Sequence, residues 1–187
     1  RQTQAFRHDI QNHLSVLETL LDAGQTSQAR EYLSHLGQIS GRLSASFQTG
    51  NAVVDALLGT KLSLAEQGEI SVRCTLKIPE SSQILDIDWC ILLANAVDNA
   101  VKAAGHLPPD RRKLLISGRQ KGNFYLLSIE NSCSPSIDGP PKEGIGLSNI
   151  RAVTEKYHGT VKIEAGNGRF KLQLLFVLSV IHSSDTP

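Results

Sequence analysis

The first 48 residues carry two consecutive segments with apolar side chains at helical spacing, and this feature limits the fold more than any other. The stripe on the first segment is close to the a and d positions of a heptad repeat, and it contains Phe6, Ile10, His13 or Leu14, Leu17, Leu20 and Leu21. The stripe on the second segment contains Ala29, Tyr32, Leu33, Leu36, Ile39, Leu43 and Phe47. The sequence therefore predicts two amphipathic helices, one over about residues 2–23 and one that begins near Thr26 or Ser27.

Gly24 separates the two predicted helices and is a typical C-terminal cap. Two helices with so short a connection form an antiparallel hairpin. A lone hairpin leaves part of its apolar stripe uncovered, because each helix covers only one side of the other. Pairing with an identical hairpin gives a four-helix bundle, so residues 1–48 are predicted to form a homodimerisation module. The alternative is a hairpin that packs on the C-terminal domain of its own chain.

A polar stripe runs beside the apolar stripe of the first predicted helix and consists of His8, Asn12, Ser15 and Thr19. His8 is therefore predicted to face solvent, with Asn12 one turn away and Asp9 next to it in sequence. An exposed imidazole beside a carboxylate is a candidate nucleophile next to a proton acceptor. A solvated polar face without chemistry is the alternative, since a His-Asp pair is common in helices.

The pattern changes after residue 48, where predicted helices and strands alternate. The helices cover about 51–67, 88–104 and 146–157, and the strands cover 70–78, 113–120, 124–131, 160–164 and 170–180. Asn51 is a predicted N-cap, and residues 132–143 form a loop rich in proline and serine. Helices and antiparallel strands in this order predict a two-layer α/β sandwich over residues 49–182 with a short tail, 183–187, so the whole chain is of the α+β class.

Two groups of residues in the predicted sandwich are candidates for ligand binding. On the predicted helix 88–104, Asn95, Asn99 and Lys102 share one face at positions i, i+4 and i+7. An amide oxygen suits Mg²⁺ and an ammonium group suits phosphate, which predicts a triphosphate bound with Mg²⁺. The alternative is a stripe that faces solvent and bonds neighbouring backbone.

The second group is the sequence Lys142-Glu143-Gly144-Ile145-Gly146-Leu147-Ser148-Asn149, which leads into a predicted helix. Glycines in front of a helix allow the backbone to approach a phosphate closely, and a helix N-terminus favours negative charge. With the irregular loop before it, the element is typical of a lid over a nucleotide. A plain flexible loop is the alternative.

Composition argues against several other classes of protein. A formal net charge of +1 provides no general attraction for nucleic acid or for an anionic membrane. Cys74, Cys90 and Cys133 lie far apart without the spacing of metal ligands, which indicates reduced thiols in an intracellular protein. No apolar run is long enough to cross a bilayer. The chain begins at Arg1 within a helical pattern, and we expect it to be a soluble part of a longer protein.

Together, these motifs resemble those of GHKL-type sensor histidine kinases, in particular the subgroup that includes Gram-positive quorum-sensing peptide receptors. The segment Phe6-Arg7-His8-Asp9-Ile10-Gln11-Asn12 resembles the H box of that family. Residues 95–102 resemble its N box, and Gly144-Ile145-Gly146-Leu147 resembles its second glycine box. The order of the motifs and the hairpin-then-sandwich layout match the family over essentially the whole chain.

The resemblance implies autophosphorylation of His8 with ATP and Mg²⁺, followed by transfer to an aspartate of a response-regulator receiver domain. Asp9 matches the acid that assists the histidine. Asn12 matches a position that, in related kinases, orients water for dephosphorylation of the regulator. The resemblance also implies the cytoplasmic portion of a membrane-anchored sensor.

For the nucleotide, the resemblance implies that Asn99 coordinates Mg²⁺ and that Asn95 and Lys102 lie near the phosphates, with the glycine-box residues Gly144, Gly146 and Leu147 also binding. The family's Asp-x-Gly-x-Gly box, whose Asp receives the adenine amino group, is absent. Asn131 stands at the corresponding strand end and offers a neutral amide oxygen instead.

Two other functions are weighed against the kinase. A GHKL ATPase of the gyrase, chaperone or mismatch-repair type would carry a Glu at the position of Asn95, to activate water. A phosphotransferase of the sporulation type would keep the histidine helix and lose the glycines and the N-box asparagine. This sequence retains both, and the agreement among the three motifs favours the kinase.

Overall fold

The structure of the protein is a computed structural model that describes residues 2–36, 48–80, 82–135 and 144–178, without the side chains of 2–10 and 34–36. The chain divides into two compact units, Arg1–Gly41 and Arg42–Pro187. Within the described residues, none of the helices combines the length and the apolar character that crossing a bilayer requires.

The first unit contains two helices, α1 (Gln2–Asp22) and α2 (Thr26–Leu36), close to the bounds predicted from the apolar stripes. Gly24 lies between them in the left-handed region, with φ +70°, as its predicted capping role requires. The two helices contact each other, and His13 Nδ1 lies 2.9 Å from the Tyr32 hydroxyl. The rest of the predicted second helix, residues 37–47, lies outside the described residues.

The second unit contains a five-stranded sheet with helices packed against it. Its elements are α3 (Ala52–Gln67), β1 (Ser71–Thr75), α4 (Asp86–Gly105), a short 3₁₀ turn (Pro109–Arg111), β2 (Lys113–Lys121), β3 (Phe124–Ser132), α5 (Ile145–Lys156), β4 (Thr160–Gly166) and β5 (Arg169–Val177). The strand order is β1-β2-β3-β5-β4. These elements confirm the predicted mixed α/β fold of this part of the chain.

The expected antiparallel arrangement of the strands is wrong for one pair. β1 pairs with β2 in parallel, whereas the other neighbouring strands are antiparallel. The reason is that α4 connects β1 to β2 as a crossover helix, which returns the chain in the same direction. β1 is also shorter than predicted, because the N–H of Ile78 donates to the Thr49 carbonyl instead of joining the sheet.

The core lies between the helices and one face of the sheet. Along β3, every second residue is buried, which places Tyr125, Leu127 and Ile129 on the helix-facing side. Trp89 of α4 is fully buried, and its ring makes edge contacts with Tyr125 and Phe176 at centroid distances of 5.7 and 5.9 Å. α4 therefore lies over the middle of the sheet.

Local sequence signals explain the start and the end of α3. Asn51 is its N-cap, as predicted, and its side-chain oxygen accepts hydrogen bonds from the N–H groups of Val53 and Val54 at 3.0 Å. Asn51 Nδ2 also donates to Asp86 Oδ1 at 2.6 Å, which connects the beginnings of α3 and α4. Gly68 ends α3 at the predicted position.

Gly118 on β2 has no room for a side chain. A Cβ atom there would overlap the hydroxyl of Tyr125 and lie 2.7 Å from Leu76 Cδ1. The hydroxyl is held in place because it donates to the Lys77 carbonyl at 2.7 Å. We expect Gly118→Ala to lower the free energy of unfolding by about 2–3 kcal/mol, measured by urea denaturation. In the control variant Gly105→Ala, no described atom lies within 4 Å of the new Cβ, and we expect no loss of unfolding free energy. Equal urea midpoints for the two variants would contradict the steric argument.

Candidate functional site

α4 presents an apolar face to the core and a polar face away from it. Its buried apolar residues are Trp89, Leu92, Leu93, Ala96, Val97, Ala100 and Ala104. Asn95 is half-buried, whereas Asn99 and Lys102 are exposed. The predicted face with positions i, i+4 and i+7 therefore exists in the fold, and it points to the surface of the helical layer.

The beginning of α5 lies directly against this polar face. A Cβ atom on Gly146 would lie 3.1 Å from Asn99 Nδ2, 3.2 Å from Asn99 Oδ1 and 3.3 Å from Asn95 Oδ1. Any side chain at this position would therefore press on both amides, which gives a physical reason for glycine there. The fold thus brings together three of the predicted site residues, which come from two separate motifs. Asn99 and Gly146 are 47 positions apart in the chain.

The first turn of α5 has the properties of an anion site. Gly144 is its N-cap in an extended conformation, and no described side chain caps the helix. The N–H groups of an uncapped first turn need acceptors, and the helix dipole favours negative charge there. Leu147 is half-buried and packs against the core, which anchors this turn. Lys142 and Glu143, at the start of the predicted glycine element, lie outside the described residues.

The side-chain amide of Asn95 has a defined orientation. Its Nδ2 donates to the Ile91 carbonyl one turn earlier at 2.7 Å. The nitrogen is bound to its own helix. Of the two polar atoms of the Asn95 amide, the oxygen therefore lies nearer to the Gly146 position. Asn95 therefore offers a hydrogen-bond acceptor to the site, and an amide is not a general base.

Asn131 lies at the end of β3 on the helix-facing side, in line with Ile129, and is 2% exposed. It pairs across the sheet with Leu114, at the start of the strand that follows α4. Asn131 therefore lies at the edge of the sheet where the chain enters β2 after leaving α4. Its Nδ2 donates to the Ser132 carbonyl at 2.9 Å, so its amide also has a defined orientation.

One ion pair beside the site was not predicted. Lys61 Nζ of α3 lies 2.6 Å from Asp98 Oδ1, on the residue that precedes Asn99. The pair connects α3 with α4 beside the polar face. The two residues are 37 positions apart, and no local pattern relates them, so only the packing of the helices reveals the pair.

The first unit carries the predicted polar stripe on α1. His8 and Asp9 lie within this helix, and their side chains are outside the described residues. Asn12, Ser15 and Thr19, which continue the stripe, are exposed. His13 is half-buried through its contact with Tyr32. The described side chains of α1 therefore agree with the two predicted stripes. The polar stripe faces solvent, and the apolar stripe is partly covered.

Comparison with known proteins gives one family and several similar structures. Residues 84–177 match the family described as GHKL domain. No curated protein matches the sequence. The catalytic domain of the histidine kinase ThkA superimposes with a TM-score of 0.57 at 16% identity, over 70% of this chain and 94% of that chain.

Two further similar structures come from other histidine kinases. The histidine kinase AdeS of Acinetobacter baumannii gives a TM-score of 0.55 at 18% identity, over 92% of this chain and 98% of that chain. The histidine kinase domain of the blue-light-activated kinase EL346 from Erythrobacter litoralis gives 0.51 at 12% identity, over 79% and 69%. At these identities, the three comparisons show a shared fold.

The family match includes the whole candidate site of the second unit. Asn95, Asn99, Asn131 and Gly146 all lie between residues 84 and 177, a segment that makes up half of the chain. The sheet and the helices packed on it agree with the fold of the three similar structures. The chain belongs to the GHKL domain family.

Proposed function

We propose that the protein is a histidine kinase that binds ATP with Mg²⁺ in its second unit and phosphorylates itself on His8. The observation that carries the proposal is the approach of Gly146 to the amides of Asn95 and Asn99. An uncapped helix start supplies N–H groups for phosphate, and amide oxygens beside it supply ligands for a hard cation. Both requirements of a magnesium triphosphate are met at one place by residues of a GHKL domain.

The described residues fit the individual parts of this ligand. Asn99 would hold Mg²⁺, which neutralises phosphate charge when it is bound. Lys102 follows on the exposed side of α4 and would approach the phosphates, as would the backbone from Gly144 to Leu147. Because Asn131 Nδ2 is engaged with Ser132, its Oδ1 is the atom available to accept from the adenine amino group.

In the proposed reaction, an imidazole nitrogen of His8 attacks the γ-phosphorus of ATP, and the bond from that phosphorus to the bridging oxygen of ADP breaks. The ring proton that His8 must lose passes to Asp9, its neighbour in sequence. The phosphoryl group then moves to an aspartate of a response-regulator receiver domain. Asn12, one turn from His8, would orient water for dephosphorylation of that regulator.

A homodimer through residues 1–48 is part of this proposal. Leu14 and Leu21 of α1 are each 55% exposed, and Leu33 of α2 is 44% exposed, so the apolar stripes of the described helices are only partly covered. Such a stripe is stabilised by a second copy that covers it, as in a four-helix bundle. The dimer would place two copies of the His8 helix in one bundle.

We expect light scattering at micromolar concentration to give twice the chain mass of 20.3 kDa. Leu21→Glu should shift the equilibrium towards monomer, because a charge in the stripe would be buried without a partner. The control variant is Leu64→Glu on α3, where the leucine is equally exposed at 55% and the dimer should persist. A monomer at all concentrations, or equal effects of the two variants, would contradict the bundle.

A GHKL ATPase is the second candidate, and the geometry of Asn95 argues against it. The position holds a neutral amide, which cannot take a proton from water, and its nitrogen donates to the Ile91 carbonyl. Incubation of the chain with γ-labelled ATP and Mg²⁺ separates the candidates. A kinase retains acid-labile, base-stable label on the protein, whereas an ATPase releases labelled phosphate and a phosphotransferase does neither.

A further inference from the structure

We propose that Asp88, Lys156 and Tyr157 form a clamp that positions the beginning of α5 against Asn95 and Asn99. The clamp itself lies elsewhere, where the end of α5 meets the start of α4. The part of this proposal that concerns nucleotide affinity depends on the proposed function. The part that concerns the position of α5 does not. None of the three clamp residues belongs to the motifs that bind or react.

The clamp is centred on a buried carboxylate in the first turn of α4. Asp88 is 5% exposed, and its Oδ2 accepts hydrogen bonds from Lys156 Nζ at 2.6 Å and from the Tyr157 hydroxyl at 2.5 Å. The same hydroxyl accepts from the N–H of Leu85 at 3.1 Å, in front of a helix that has no side-chain cap at that residue. One phenol thus connects the end of α5 to both the backbone and the carboxylate at the start of α4.

The carboxylate is charged at neutral pH in spite of its burial. The hydrogen bonds from Lys156 and Tyr157 lower the pKa of Asp88 and outweigh the opposite effect of desolvation. Charge-assisted hydrogen bonds of this kind are stronger than neutral ones. The clamp is therefore a charge-assisted polar attachment between α4 and α5.

The two helices run antiparallel, and each is a stiff element that connects the clamp with the candidate site. The clamp joins the end of α5 to the beginning of α4, whereas Gly146 at the beginning of α5 lies close to Asn99 in the second half of α4. At 1.5 Å per residue, the two contacts are about 15 Å apart along the axis. A small tilt of α5 at the clamp becomes a displacement at Gly146.

In the first turn of α5, the half-buried Leu147 is the described residue that packs against the core. Ile145 is 83% exposed, and the buried residues of the helix, Ile150, Val153 and Thr154, all lie in its later part. Gly146 also lowers the helix propensity of the first turn. Beyond the clamp, the turn at Gly159 is packed tightly, since a Cβ there would lie 2.8 Å from the Leu175 carbonyl. The helix is therefore held more firmly at its end than at its beginning.

The test removes one hydroxyl, by Tyr157→Phe, and measures two quantities on the whole chain. Without nucleotide, hydrogen exchange of the peptide that covers residues 145–149 should be about tenfold faster than in the wild type, the factor that one lost hydrogen bond produces. The dissociation constant for a non-hydrolysable ATP analogue with Mg²⁺ should rise by a similar factor. Lys156→Met should act in the same direction, and Lys156→Arg should preserve both values.

The matched control is Tyr125→Phe, which removes another buried hydroxyl bond, from Tyr125 to the Lys77 carbonyl, away from α5. Its exchange at residues 145–149 and its dissociation constant should equal those of the wild type. If the two Phe variants have equal effects, or if Tyr157→Phe changes neither quantity, the clamp only contributes stability and the inference is overturned. If the wild type binds no nucleotide, the proposed function fails, while the exchange comparison still decides the clamp.

Discussion

In the variant His8→Ala, incubation with γ-labelled ATP and Mg²⁺ is expected to leave no label on the protein. The reason is that the proposed reaction forms a bond between an imidazole nitrogen and phosphorus, and alanine has no nucleophile to replace it. His8 lies on the polar stripe of α1, whose described continuation, Ser15 and Thr19, is exposed. We therefore expect His8 to be accessible to a phosphate donor.

The control for this experiment is His13→Ala, on the same helix. His13 is half-buried and engaged with Tyr32, so it is a packing residue of the first unit and its replacement should retain the label. Binding of an ATP analogue should be unchanged in His8→Ala, because the proposed nucleotide-binding residues belong to the other unit. Acid-labile, base-stable label that survives in His8→Ala would refute the assignment of the phosphoacceptor.

Local sequence signals predicted the elements of the second unit well. The cap at Asn51 and the stop at Gly68 depend on hydrogen bonds between near neighbours, which a short sequence window contains. The parallel pairing of β1 with β2 depends on the path of α4 across the sheet, which no window contains. For this reason, the strand segments were predicted and one of their directions was not.

The same distinction applies to the candidate site. Helical spacing was sufficient to place Asn95 and Asn99 on one face, because both belong to α4. The approach of Gly146 to these amides follows from the packing of α5, which spacing cannot show. The clamp between Asp88 and Lys156 joins residues 68 positions apart, and neither residue belongs to a recognisable motif. The sequence therefore identifies the candidate binding groups, whereas the fold is needed to identify the residues of the proposed clamp.

Asn99→Ala is expected to weaken Mg²⁺-dependent binding of ATP by about 100-fold or more. A contact to a charged ligand contributes up to about 3 kcal/mol, which corresponds to that factor. The loss should be specific, because Asn99 is exposed and alanine is the better helix former, so the fold should persist. Calorimetric titration with a non-hydrolysable analogue should show the loss with Mg²⁺, and in EDTA the wild type should fall to the level of the variant.

The neighbouring residue provides the control that makes this result interpretable. Asp98→Ala removes the exposed ion pair with Lys61 beside the site, and such pairs contribute about 0–1 kcal/mol, so affinity should change by less than about fivefold. A large loss in both variants would mean that any change on this side of α4 disturbs the site. Unchanged affinity in Asn99→Ala would mean that its amide holds no metal, and the proposed Mg²⁺ ligand would have to be sought elsewhere along α4.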